Sequence, residues 1–444
     1  MNTETMAEAK ESLQDTSEST TLDIELDVEQ QAAVELCMNI ENRIVSVTGP
    51  AGTGKTTILK TVYKNFVESG YTVALAALAG KAAKRINEVT GFPATTIHRL
   101  LEFSHPGEPD PETGKYYIES LPKYNKRRPL PHDVIFIDEA AMVNQQLYRD
   151  ILDAMKPGSI VRWFGDVNQL APIEENEVLR KQPSPFYNLL HSKHFPAKRL
   201  SKLHRQGEGS DIAVNAGRIL LGLVPVRKPE FEIIITSDPI SSLRKVIESN
   251  LDRCDFQSIN NQIITPQNKS MVGTVALNAM LQPMFHESMA GSYPLPRNKP
   301  FKGQKVQDCW VRVGDKVIWT KNDYNLFIFN GESGIIRGIT NDGTLEIDFG
   351  DRSVVVPTSV TYNKYGKELH YDPRVNLELA YAVTTHKSQG SEYEHVVYLI
   401  TRSHFAMLNR SNFYTAVTRA RKFVWVITDG TAMMTATNTI KSII

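Results

Sequence analysis

Residues 49–56 read Gly-Pro-Ala-Gly-Thr-Gly-Lys-Thr, a stretch whose composition suits the holding of a polyphosphate. Glycines let backbone N–H groups approach phosphate oxygens with no side chain in the way, and a following helix adds the positive end of its dipole. In this pattern Lys55 bridges the β- and γ-phosphates and the Thr56 hydroxyl holds Mg²⁺. The cradle comprises Gly49, Gly52, Thr53, Gly54, Lys55, Thr56 and Thr57. A glycine turn before any helix would give part of this pattern. Here the apolar "RIVSVTG" precedes the loop and the helical "TTILKTVY" completes it, which is the context a phosphate site requires.

A second reactive stretch is "VIFIDEAAM". Four apolar residues predict a buried strand, with Asp138 and Glu139 emerging at its end. One carboxylate can bind Mg²⁺ through water, and the next can orient or deprotonate an attacking water. A lone aspartate would suit a kinase or a switch, whereas the pair favours hydrolysis. On the next strand "WFGDVNQLAPI" puts Gln169 beyond the strand end, where an amide could sense the γ-phosphate and the attacking water. A glutamine in such a turn is also an ordinary turn residue.

These groups need strands that end on one edge and helices that begin there. "RIVSVTG", "TVALAAL", "VIFIDE" and "SIVRWFGD" are short apolar strands separated by helical or loop segments, the pattern of a parallel sheet covered on both faces. A second α/β series follows in "NQIITP", "VGTVALNAMLQPMF", "HVVYLIT", "SNFYTAVTRAR" and "FVWVIT". Between Val313 and Thr361, alternating residues around Asn-Asp-Gly and Gly-Asp turns predict a small antiparallel barrel or meander. The proline-rich residues 103–131 interrupt the first series as an insertion, and residues 1–22 read as a polar, acidic, disordered tail.

The chain has 444 residues, enough for two to four domains, with 41% hydrophobic and 23% charged residues. It shows neither a membrane-length apolar run nor a signal peptide, so the expected location is cytoplasmic. Cys37, Cys254 and Cys309 form no zinc spacing and predict no disulfide framework. A formal charge of zero argues against coating nucleic acid with the whole surface, yet leaves room for a narrow basic channel.

Taken in order, "GPAGTGKTT", "AALAGKAAKR", "ATTIHRLL", "VIFIDEAAM", "GDVNQLAPI", "LHRQ", "AVTTHKSQGSE" and "YTAVTRAR" resemble the superfamily 1 DNA helicases, in their RecD/Dda-like 5′-to-3′ branch. The resemblance runs from about Leu26 to Ile427. It implies an α/β fold of two RecA-like P-loop domains, the first over 23–199 and the second over 200–324 and 369–444. It also implies a hairpin, or pin, within 103–131 and an SH3-like β insertion over 325–368. Arg205 and Arg419 match the family's γ-phosphate arginines, Gln30 its adenine-reading glutamine and Glu392 a position near the ribose. Gln31, beside Gln30, is the other register for the adenine contact. Lys81, Thr96, His98, Thr385, His386 and Lys387 match strand-contacting positions. One departure stands out: relatives commonly read Ala-Pro-Thr-Gly-Lys-Ala-Ala, and here Leu78 and Ala79 replace the Pro and Thr, removing a hydroxyl contact.

The expected activity is therefore ATP- and Mg²⁺-dependent unwinding of DNA by a monomer moving 5′ to 3′ on a single strand. Its expected partners are single-stranded DNA, single-strand/duplex junctions, and single-strand-binding or replication proteins. Two alternatives remain: a translocase that displaces proteins without productive unwinding, and an ATP-gated nucleic-acid clamp.

Overall fold

The computed structural model describes residues 26–104, 121–172, 174, 176–204, 210–286, 291–296, 309–323, 326–364 and 367–440. The acidic tail and most of the 103–131 insertion lie outside them.

The first sheet is wholly parallel, in the spatial order Thr95–Thr96, Val73–Ala77, Val134–Asp138, Ile160–Gly165, Ile44–Thr48 and Ala197–Arg199. Alternation along each strand sends side chains to opposite faces. Val134 and Phe136 join Ile58, Leu59, Val62 and Phe66 of the helix Lys55–Glu68 on one side. Ile135 and Ile137 join Leu147 and Ile151 of the helix Gln145–Ala154 on the other. Both faces are buried, and each such large apolar side chain contributes about 1.5–3 kcal/mol. The strands therefore read as apolar runs rather than as alternating ones.

Arg162 is the exception in that core. It is fully buried, and its guanidinium donates to the carbonyls of Cys37 (2.6 Å), Asn39 (2.9 Å) and Asn42 (2.8 Å). These carbonyls belong to the end of the helix Val28–Met38 and the turn after it, where unpaired acceptors favour a cation. Burial lowers the guanidinium pKa to about 10.

A second parallel sheet follows the order Ala382–Thr384, Asn261–Thr265, Tyr393–Ile400, Ala420–Thr428 and Phe231–Ile235. Val396, Tyr398 and Ile400 face one core and Val397 and Leu399 the other. This is the same doubly covered design.

Inserted in the second unit is an antiparallel sheet ordered Ser353–Val356, Leu345–Asp348, Ser333–Ile339, Lys316–Trp319 and Leu377–Leu379. It has its own core around Trp319, Ile336 and Ile347. The expected Asn-Asp-Gly turn is present, with Gly343 at φ 86°. The sheet uses strands beyond 325–368. Its strand Lys316–Trp319 is anchored by the buried Lys316 ammonium, which donates to the Ser258 and Asn261 carbonyls of the parallel unit at 2.9 and 2.5 Å. Among the described residues no helix is long and apolar enough to cross a membrane.

Candidate nucleotide cleft and nucleic-acid channel

The strand Ile44–Thr48 ends at the phosphate loop, and the helix Lys55–Glu68 starts from it. Gly52 and Gly54 have φ of 88° and 80°, a region in which any other residue would be strained. A Cβ at Gly54 would also lie 2.2 Å from the Gln30 amide nitrogen. No side chain caps the helix at Gly54, so its first N–H groups remain available to an anion. The Lys55 ammonium lies across the loop and donates to the Gly49 and Pro50 carbonyls at 2.7 and 2.9 Å. This donor set fits a magnesium–nucleotide triphosphate.

The loop opens into a cleft of about 340 Å³ that brings together Gly52, Gly54, Lys55, Thr56, Thr57, Asp138, Glu139, Gln169, Glu392 and Arg419. Residues from both parallel-sheet units line it. Glu139 has φ 51°, ψ 39°, a left-handed conformation that costs a non-glycine residue about 1–2 kcal/mol. The turn begins as the strand ends, and the Glu139 N–H donates to Asp138 Oδ1 at 2.8 Å. Burial, and then the neighbouring Glu139 charge, raise the Asp138 carboxyl pKa. Gln169 is buried, and its Oε1 has no hydrogen-bond partner among the described residues.

Arg419 is 3% exposed and donates to the Thr415 and Ser391 carbonyls, each at 3.2 Å. Glu392 pairs with Arg85 at 2.7 Å. Arg85 lines the same cleft and was not singled out from sequence. Its signal would have been its place one helical turn after Lys81. His204 is a second unanticipated lining residue. Its N–H donates to the Gly52 carbonyl (2.7 Å), and its Nε2 meets Asp27 Oδ2 at 2.6 Å. The Gln30 backbone N–H and then His204 hold the Asp27 carboxyl below its ordinary range. Arg205, the next residue, lies outside the described ones.

Gln30, the expected adenine reader, is not among the residues that line this cleft. It is buried behind the phosphate loop, where its Oε1 accepts from Asp27 N–H (3.1 Å) and its Nε2 donates to the Thr53 carbonyl (3.3 Å). Thr53 is buried beside it. Gly49 sits where a Cβ would fall 2.6 Å from Thr53 Oγ1.

A second opening, of about 510 Å³, runs between the units. Lys81, His98, His386 and Lys387 line it, together with Leu78, Ala79, Asn144 and Gln146 and, from the antiparallel insertion, Thr320, Asn322 and Asn330. Lys81 stands over the Tyr393 ring at 5.1 Å, and Lys387 pairs with Glu378 at 2.7 Å. His98 lies 4.8 Å from the Phe103 ring, and burial lowers its pKa, favouring the neutral ring. Two expected strand contacts are not on this wall. Thr96 is buried and caps a short helix by accepting from Arg99 N–H (3.2 Å). Thr385 is fully buried and donates to Asn412 Oδ1 (2.7 Å).

Residues 25–222 match the AAA domain family, and residues 379–427 match the UvrD-like helicase C-terminal domain. The chain is 32% identical over 393 residues to the ATP-dependent RecD2 DNA helicase of Deinococcus radiodurans, covering 88% of this chain and 48% of that protein. It is 27% identical over 439 residues to the RecBCD enzyme subunit RecD of Mycolicibacterium smegmatis, covering 90% and 70%. The chain thus spans about half the length of the first relative. The fold is similar to that of a Bacteroides Pif1 helicase in complex with ADP-AlF3 and ssDNA, with a TM-score of 0.56, 22% identity, and coverage of 92% of this chain and 93% of that one. The two family matches fall on the two parallel-sheet units and the RecD relatives run through both, so the chain is similar to the RecD helicases in sequence and to the Pif1 helicase in fold.

Proposed function

We propose that this chain is an ATP-dependent DNA helicase that moves 5′ to 3′ on single-stranded DNA and separates duplex ahead of it. The observation that carries the reading is the composition of the nucleotide cleft. A phosphate loop and a carboxylate pair from one unit face Glu392 and Arg419 from the other. A site shared in this way is complete only when the units are together, which ties hydrolysis to their relative motion. The RecD2 relative is named as an ATP-dependent DNA helicase, and the Pif1 neighbour as a complex with ADP-AlF3 and ssDNA. Both support the choice of nucleotide and of partner.

In this mechanism Gly49, Gly52, Thr53, Gly54, Lys55 and Thr57 cradle the phosphates, and Thr56 and Asp138 would hold Mg²⁺. When bound there, Mg²⁺ would supply neutralisation of phosphate charge. Glu139 orients the attacking water and takes up its proton. Gln169 senses the γ-phosphate, and Arg205 and Arg419 stabilise charge in the transition state. Glu392 lies toward the ribose, and Gln30 would turn from its bonds to Asp27 and Thr53 to meet the base. Lys81, His98, His386 and Lys387 grip the DNA strand by phosphate contacts and stacking, without reading sequence. Thr96 and Thr385 support that wall from behind.

The same proposal assigns a pin to 103–131, an SH3-like role to the antiparallel insertion, and RecA-like domains to 23–199 and to 200–324 with 369–444. It also includes a monomer acting in the cytoplasm with single-strand-binding or replication proteins. The test is strand separation of 5′-tailed and 3′-tailed duplexes with MgATP. Unwinding that requires a 5′ tail is expected. Unwinding only from a 3′ tail would refute the direction. DNA-stimulated hydrolysis with no strand separation would favour a translocase instead.

A further inference from the structure

We propose that Tyr414 and Thr415 are positioning residues that lock the Asp166–Leu170 loop, and Gln169 within it, to the helix that presents Arg419. The inference rests on reading the cleft as a hydrolytic nucleotide site.

Two consecutive residues of the helix Arg410–Val417 reach across to the first unit. The Tyr414 hydroxyl donates to Asp166 Oδ2 at 2.6 Å, and the phosphate-loop N–H of Ala51 donates to the same hydroxyl at 3.4 Å. Thr415 Oγ1 accepts from the Leu170 N–H at 3.0 Å. These contacts grip the loop at both ends, on either side of Gln169. Asp166 shapes the turn between them: its Oδ1 accepts from Asn168 N–H at 3.0 Å and its carbonyl from Gln169 N–H at 3.2 Å. From the second unit, Gln389 Nε2 adds a bond to the Leu170 carbonyl at 3.2 Å.

Thr415 also touches the arginine. Its carbonyl accepts from Arg419 Nε at 3.2 Å, so one residue holds the glutamine loop by its side chain and the arginine by its backbone. Asp166, Tyr414 and Thr415 are all buried, and such bonds are not traded with water while the units are together. Burial raises the Tyr414 phenol far above its ordinary pKa, so it remains a donor. The γ-phosphate glutamine and the finger arginine therefore reach working positions through the same interface, and hydrolysis waits for that interface to form. Displacement of about 1 Å at a reacting centre can cost about a hundredfold in rate.

The experiment measures kcat and KM for ATP in the full chain at saturating oligo-dT, together with thermal midpoints. It compares wild type with Tyr414→Phe, Thr415→Val and Thr415→Ser. Tyr414→Phe is expected to lose about 10–100-fold in kcat with KM within about threefold. Thr415→Val should lose about tenfold, and Thr415→Ser, which keeps the acceptor oxygen, should recover most of it. If Tyr414→Phe fails to fold, the Thr415 pair decides. Near-wild-type kcat in both Tyr414→Phe and Thr415→Val would overturn the proposal. So would equal losses in Thr415→Val and Thr415→Ser that track their thermal midpoints. A wild type without MgATP turnover would refute the hydrolytic reading itself, and the positioning role with it.

Discussion

The proposed nucleotide cleft and the proposed nucleic-acid channel differ in how they are built. The first unit's half of the cleft is assembled from short segments whose function is local: a glycine loop with two left-handed glycines, and a strand end where Glu139 turns left-handed beside Asp138. The channel is a gap between walls from distant segments, including the antiparallel insertion. Chemistry that depends on a loop's own backbone travels with a few adjacent residues. A surface that grips a polymer depends on how separate units are set against one another.

This difference can be broken or sharpened by substitution, beginning in the cleft. Lys55→Ala should abolish ATP hydrolysis and leave the fold intact, because its ammonium serves loop carbonyls and ligand rather than the core. Circular dichroism and turnover measured together check both halves. Glu139→Gln should bind MgATP and hydrolyse it about 10²–10⁴-fold more slowly, and near-normal turnover would remove its role as the water-activating group. Arg419→Ala should lower DNA-stimulated kcat by about 10³-fold or more with little change in nucleotide affinity. Equal losses in both would make it a ground-state contact.

Smaller effects are expected in the channel, where many groups share the load. Lys81→Ala and Lys387→Ala should each raise the Kd for a DNA oligomer several-fold and reduce the salt slope by about 0.7 per cation removed. An unchanged slope would mean that the lysine serves only its observed partner, Tyr393 or Glu378 respectively. The smallest effect on DNA binding is predicted for Thr385→Val. Its hydroxyl is held by Asn412, so stability should fall by about 1 kcal/mol while DNA affinity stays the same.

The comparison also explains what was legible in the sequence. The parallel strands were readable because both of their faces are buried, and the loop glycines because only glycine accepts that backbone at low cost. Thr385 adjoins His386 and Lys387 in sequence, but in the turn that follows the strand Ala382–Thr384 its hydroxyl is directed to Asn412. Arg85, His204 and Tyr414 were missed for a related reason. Their partners Glu392, Asp27 and Asp166 are remote in sequence and meet them only in the folded chain. Gln30 is expected to read the base, and in the structure its amide bonds run to Asp27 and Thr53. The strands Lys316–Trp319 and Leu377–Leu379 of the antiparallel sheet lie outside 325–368, the first of them within the alternating stretch that begins at Val313.

Through contact between the units, the proposed channel controls the chemistry of the proposed cleft. Steady-state MgATP turnover of the wild-type chain, measured with and without single-stranded DNA, tests it most directly. Slow turnover alone and a many-fold rise in kcat when DNA fills the channel are expected. The same kcat in both conditions would contradict it.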